Sequence, residues 1–215
     1  WRRLYERMTP RWERYANPKF QEGIATLNLD PTRVPRLEDV NRFMSPLTGF
    51  RAKPVSGYVP AFRFFDCLRN REFPTTITIR DGEVLDYLPE PDIFHDFAGH
   101  VPLLTHPEFA RFLEAYGRLS AEAQAIGALK PLARLYWHMV EFGLIEEEGS
   151  LRAYGAGILS SSAETLHATT GSAPRRLRFD LARVLRSAYE IDQMQPTYFV
   201  IRDYAQLFQA LDDLP

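Results

Sequence analysis

Residues 90–100 read Glu90-Pro91-Asp92-Ile93-Phe94-His95-Asp96-Phe97-Ala98-Gly99-His100. Two of the five histidines fall here, after a proline suited to the first turn of a helix, with a glycine suited to its end between them. On a regular helix a five-residue step turns about 500°, which leaves the imidazoles about 140° apart. They meet on one ion only if the helix stops between them. Gly99 supplies that break, because glycine takes the left-handed conformation without a Cβ penalty. Neutral imidazole is the commonest protein metal ligand. Spacing alone leaves a metal site and two unrelated histidines at a helix end equally open. The step is five and the acid between them is Asp96, which departs from the His-Glu-x-x-His of zinc proteases.

A third ligand has to come from elsewhere. Between Pro131 and Ile145 the only formal charges are Arg134 and Glu141. A helix over 132–145 is apolar nearly all round, hence buried. Glu141 shares a face with Trp137 and Ile145 on that helix. A buried carboxylate must pair, neutralise or bind a metal, and an arginine partner competes here with a metal. Two histidines and one carboxylate make a facial triad with open positions on one side, the pattern of non-haem iron(II) oxygenases. Zinc with three protein ligands and one water would serve hydrolysis instead, with Asp96 as general base. A non-catalytic module that binds an aromatic amino acid is a third reading.

The rest of the chain bounds the answer. Its 215 residues are 45% hydrophobic and 25% charged, with formal net charge −2, which excludes dominant disorder. The charge balance offers no footprint for nucleic acid or an anionic membrane. No charge-free run exceeds eleven residues, against about 20 for a membrane-spanning helix. The single cysteine, Cys67, fits a reducing compartment, and a cytoplasmic protein is expected. Helix spacing marks 1–8, 18–27, 37–46, 60–70, 107–117, 180–188 and 203–212, with helix starts at Thr105-x-x-Glu108 and Ser161-x-x-Glu164. Strand signals are short: Thr75–Ile79, then Val84-Leu85 after Asp81-Gly82, a candidate hairpin, and Tyr198–Ile201. No linker or repeat interrupts the chain. One mainly helical (α+β) domain over 1–215, with a small β-hairpin or sheet, is the expected fold.

At this point three motifs carry a family resemblance. The stretch from Tyr87 through His95 and His100 to Leu103 resembles the iron-binding signature of the aromatic amino acid hydroxylases. Tyr136-Trp137-His138-Met139-Val140-Glu141-Phe142-Gly143-Leu144 resembles the family's second signature, and Tyr154-Gly155-Ala156-Gly157-Ile158-Leu159-Ser160-Ser161 its third. Pro54-Val55-Ser56-Gly57-Tyr58-Val59-Pro60-Ala61-Phe62-Arg63-Phe64 resembles its pterin-binding stretch. The likeness runs from about residue 35 to the end, nearest to the short bacterial members that consist of the catalytic domain alone. No counterpart of the regulatory domain or tetramerising helix of animal members is seen, and a monomer is expected.

The resemblance implies roles. His95, His100 and Glu141 match the Fe(II) ligands and so the catalytic centre. A tetrahydropterin is oxidised as O2 is split, and one oxygen atom goes to the substrate ring. Arg80, at the end of the 75–79 strand, matches the arginine that grips the substrate carboxylate, and Asp92 the acid that orients it. Pro91 and Trp137 match walls of the aromatic pocket, and Gly157 and Ser160 positions near the amino-acid end. Phe64 matches the ring that stacks on the pterin, with Val55, Gly57 and Val59 along its edge. Asp96 stands where animal members have a glutamate that reaches the pterin through water, and bacterial members share the aspartate. Leu88 replaces a threonine near the substrate carboxylate. The activity implied is hydroxylation of L-phenylalanine to L-tyrosine, with tryptophan or tyrosine hydroxylation as the alternative.

Overall fold

A computed structural model describes residues 1–57, 59–86, 91–191 and 193–214. Leu88 and Tyr58 therefore lie outside the described residues. Helices dominate, and one continuous apolar core runs from Leu4 to Leu211. Helix α1 (Arg2–Tyr15) continues well past residue 8 in spite of Pro10. Its stripe of Leu4, Met8 and Trp12, spaced by four and buried, holds it to the core. Helices α2 (Pro18–Leu27), α3 (Leu37–Thr48) and α4 (Ala61–Arg69) fall where the periodicity places them.

The expected hairpin at 75–85 does not form. Strand β1 (Arg51–Val55) pairs in parallel with β2 (Glu72–Thr76), and α4 makes the crossover between them. The chain leaves the sheet after Thr76, and Ile77 and Ile79 stand 59% and 38% exposed. A strand buried along its length, as Phe73 to Thr76 are, does not alternate. The alternation at 75–79 thus marks the exit of a strand. Pro54 is tolerated because β1 is an edge strand.

Two π-helical turns follow. The first, His95–His100, runs into α5 (Val101–Leu104) and then α6 (Pro107–Ala125). Thr105 does not cap α6, since its hydroxyl donates to Pro102 O at 2.7 Å. Helix α7 (Leu129–Leu135) runs into the second π turn, Tyr136–Glu141, where the expected single helix to 145 ends. Leu144 and Ile145 already belong to β3 (Leu144–Glu147), so Ile145 shares no helix face with Glu141. A second sheet orders β4 (Ser150–Ala153), β3, β6 (Thr197–Ile201) and β5 (Arg175–Arg178), with β3/β4 an antiparallel hairpin and the other pairs parallel. Helices α8 (Ala156–Leu159), α9 (Ser162–Thr169), α10 (Leu181–Arg186) and α11 (Tyr204–Asp212) complete the chain.

Ser161 caps α9 by accepting from Glu164 N at 3.2 Å. The Glu164 side chain turns inward, where Oε1 accepts from Tyr198 OH at 2.5 Å and Gln195 N at 3.1 Å. Burial raises its pKa above the ordinary 4.5 in spite of these donors. The folded state therefore holds the proton longer than the unfolded chain, and stability falls as pH rises from 4.5 through the folded value. Glu164→Gln is expected to gain stability relative to wild type between acidic and neutral pH, read by urea unfolding at both. A constant difference would refute this.

Candidate metal centre

Both histidines sit on the first π turn, and that turn solves their spacing. Its hydrogen bonds close from i to i+5, as Val101 N–H to Asp96 O shows, so residues five apart stack on one side. Gly99 is not a helix stop. Its backbone φ is not positive, and α5 continues directly. Its missing side chain makes room instead, since a Cβ there would lie 2.9 Å from Ala156 O on α8. Glu141 ends the second π turn, where Phe142 N–H reaches back five residues to Trp137 O. Gly155 and Gly157 let α8 close on it, because Cβ atoms there would approach Glu141 O to 2.4 and 3.1 Å. The third motif is thus the crossing point of both ligand-bearing turns.

The side chains meet. His95 Nε2 and His100 Nε2 lie 3.1 Å apart, and Glu141 oxygens lie 3.1 Å from His100 Nε2 and 3.5 Å from His95 Nε2. Donors on one octahedral face with bonds of about 2.1 Å stand about 3.0 Å apart. The three residues fit a first-row divalent metal, and among the described residues theirs is the one such cluster.

Protonation agrees with this. Ser160 Oγ donates to Ala156 O at 2.8 Å, so at 2.9 Å it accepts from His95 Nδ1–H. That assigns the His95 tautomer and leaves Nε2 with its lone pair toward Glu141. Burial, against the attraction of Glu141, pushes the His95 pKa down to about 4, so the ring is neutral at pH 7. Glu141 is raised by burial but lowered more by His100 and His95, and it stays ionised. Ser160→Ala is expected to weaken iron affinity about 10–100-fold, as loss of a ligand's orienting partner does. Anaerobic iron titration checks it, and unchanged affinity would show the bond to be idle.

Arg80 lies four residues beyond β2, in irregular backbone, rather than at a strand end. Its Nε and Nη2 donate to the two Asp92 oxygens at 2.8 and 2.9 Å, and the Arg80 amide adds a third bond to Asp92 at 2.9 Å. Burial raises the Asp92 pKa, but the Arg80 guanidinium outweighs it and holds the carboxyl below its ordinary 3.8. Asp92 Oδ1 also accepts from His95 N at 2.9 Å, which joins this pair to the first π turn. Nη1 reaches Ser160 O and Leu85 O only at 3.3 and 3.4 Å. Nη2 keeps one N–H beyond Asp92, so a carboxylate at the end-on edge of the guanidinium would take that donor and displace one of the long Nη1 contacts.

The remaining candidates surround this core. Phe64 is half-buried and packs edge-on against Phe73 and Tyr136, whose rings lie 4.8 and 6.4 Å from that of His100. Val55 and Val59 are half-buried, and Gly57 and Pro91 are exposed. Asp96 commits Oδ2 to Thr76 N and Oγ1, both at 2.7 Å, and burial pushes its carboxyl up to about 6. Trp137 is half-buried and stacks on Tyr189 at 4.5 Å. Gly157 meets Phe142. Three participants escaped sequence reasoning: Thr76, Tyr189 and Gln195, which hold Asp96 and Trp137. None stands beside a motif, so nothing local pointed to them.

A helix-rich domain that presents two imidazoles and one carboxylate on one side of a point has the donor set of mononuclear non-haem metal enzymes. The family described as biopterin-dependent aromatic amino acid hydroxylase matches residues 1–214. The phenylalanine-4-hydroxylase of Chromobacterium violaceum is 47% identical over 98% of this chain and 71% of that protein. That of Ralstonia nicotianae is 45% identical over 98% and 67%. A crystal structure of the Chromobacterium violaceum phenylalanine hydroxylase with iron and phenylalanine bound superposes with a TM-score of 0.92 at 45% identity, over 98% of this chain and 76% of that one. The chain belongs to the biopterin-dependent aromatic amino acid hydroxylase family.

Proposed function

We propose that this protein hydroxylates L-phenylalanine to L-tyrosine with Fe(II), a tetrahydropterin and O2. The observation that carries the reading is the convergence of His95, His100 and Glu141 beside a buried, oriented Arg80. Iron and phenylalanine in the Chromobacterium violaceum structure support it. Iron held by this triad supplies the redox chemistry that activates dioxygen while the pterin is oxidised.

The chain's own residues do the rest. Ser160 orients His95 and Asp92 orients Arg80, so two side chains are set before any ligand arrives. Arg80 offers its end-on edge to the amino-acid carboxylate. That fixes the ring at a set distance from the metal, with Trp137 and Pro91 as walls. Phe64 presents an aromatic face for the pterin, one ring removed from His100 through Phe73. The apolar surroundings of Phe73 and Tyr136 keep water from that side of the centre. The near-neutral charge supports a small-molecule substrate over nucleic acid, and no helix among the described residues is long and apolar enough to cross a membrane.

The test is anaerobic loading with graded iron(II), then phenylalanine, a reduced pterin and air. Tyrosine formed in proportion to bound iron is expected. No tyrosine at full iron occupancy, or a pterin-independent hydrolase activity with zinc, would overturn the reading.

A further inference from the structure

Gln195 lies between α10 and β6, 58 residues along the chain from Trp137, and is 1% exposed. Every polar group it has is used. Oε1 accepts from Trp137 Nε1–H at 3.1 Å, and Nε2 donates to Glu190 O at 2.7 Å and Gln193 O at 3.2 Å. Its N–H donates to Glu164 Oε1 at 3.1 Å, and its carbonyl accepts from His167 Nε2 at 3.1 Å. An indole nitrogen only donates and a carbonyl only accepts, so the amide has one permitted orientation.

The consequence falls on Trp137. Tyr189 stacks along one face of the indole at 4.5 Å and 16°, and Phe142 packs against it at 5.1 Å. Stacking alone tolerates an indole turned over in its own plane, because apolar contact is non-directional. The bond to Gln195 does not tolerate it, since the flip strands a buried donor and a buried acceptor. Trp137 is on the same π turn as Glu141, four residues before it and half-buried, and the proposed reading makes it a wall of the ring pocket. Gln195 in turn is anchored at both backbone groups by Glu164 and His167 of α9, the helix that follows Ser160.

We infer that Gln195 is a positioning residue for ring selectivity: by holding the Trp137 indole in one orientation, it sets the width of the pocket for the substrate's aromatic ring. This rests on the proposed hydroxylase reading. It predicts that losing the bond weakens the smaller, better-fitted ring more than a larger one, so L-phenylalanine suffers more than L-tryptophan.

The test is a double-mutant cycle on iron-loaded protein kept anaerobic and free of pterin, with calorimetric binding of L-phenylalanine and L-tryptophan. Gln195→Met is expected to raise the L-phenylalanine Kd about five- to tenfold and to narrow the preference over L-tryptophan. Iron content and the pterin KM should stay at wild-type values. In a Trp137→Phe background the same change should add less than about twofold, because its effect passes through the indole. An equal factor in both backgrounds, or an unchanged Kd, overturns the inference. Wild-type protein that binds L-phenylalanine yet forms no tyrosine defeats the hydroxylase reading and leaves the cycle to judge Gln195. Wild-type protein that binds no L-phenylalanine defeats both.

Discussion

Glu141→Ala is expected to strip the protein of iron under desalting and to cut tyrosine formation by more than about a hundredfold. Loss of a residue that merely orients a ligand costs about 10–100-fold, and loss of a ligand costs more. The geometry allows no substitute. Glu141 is the only carboxylate placed with both imidazoles among the described residues, and Asp96 has turned its Oδ2 to Thr76. Two imidazoles without a carboxylate also lose the one negative charge that offsets the metal's. The fold should survive, because His95, which burial holds neutral, is not left as an unpaired charge. Metal analysis after anaerobic loading, with circular dichroism as a control, checks this. A folded Glu141→Ala protein that keeps one iron per chain and a tenth of the activity would remove Glu141 from the ligand set.

The second large effect is expected at Arg80. Arg80→Met should lower stability by about 3–5 kcal/mol, because it leaves Asp92 buried and ionised with no cation beside it. The two side chains are 3% and 2% exposed, so water cannot take over. Binding should fall as well, because the end-on edge offered to the substrate carboxylate disappears. Arg80→Lys should not restore binding, since an ammonium cannot serve Asp92 and a second carboxylate as a planar fork does. Urea unfolding separates the stability loss from binding, which is read by calorimetry on the fraction that stays folded. Wild-type affinity for L-phenylalanine in folded Arg80→Met protein would relocate the carboxylate site.

Much of this molecule was readable from local residue chemistry. The isolated Glu141 in an apolar run, the paired histidines and the helix starts expected at 18, 37 and 60 follow from charge, side-chain type and periodicity within a few residues. Those signals survive because burial of a stripe, or of a lone charge, is a local constraint. The strand at 72–76 did not show itself, because its partner β1 is separated from it by a helix and a strand buried on both faces has no alternation. The hairpin of β3 and β4 was masked by reading 132–145 as one helix.

What local residue chemistry offered was the inventory of groups that could bind a metal, and a mainly helical chain; the arginine for a carboxylate and the ring for a pterin came only with the family resemblance. What only the packed molecule decided was how those groups face one another. A five-residue histidine step is wrong for an α-helix and right for a π turn, and nothing within the step says which will form. The outcome rests on the fit of Gly99, Gly155 and Gly157 between α8 and the two turns, and on Ser160, Thr76 and Gln195, distant along the chain, supplying hydrogen bonds. Convergence at a centre is a property of contacts between distant segments, and such contacts leave no periodicity in the residues that make them.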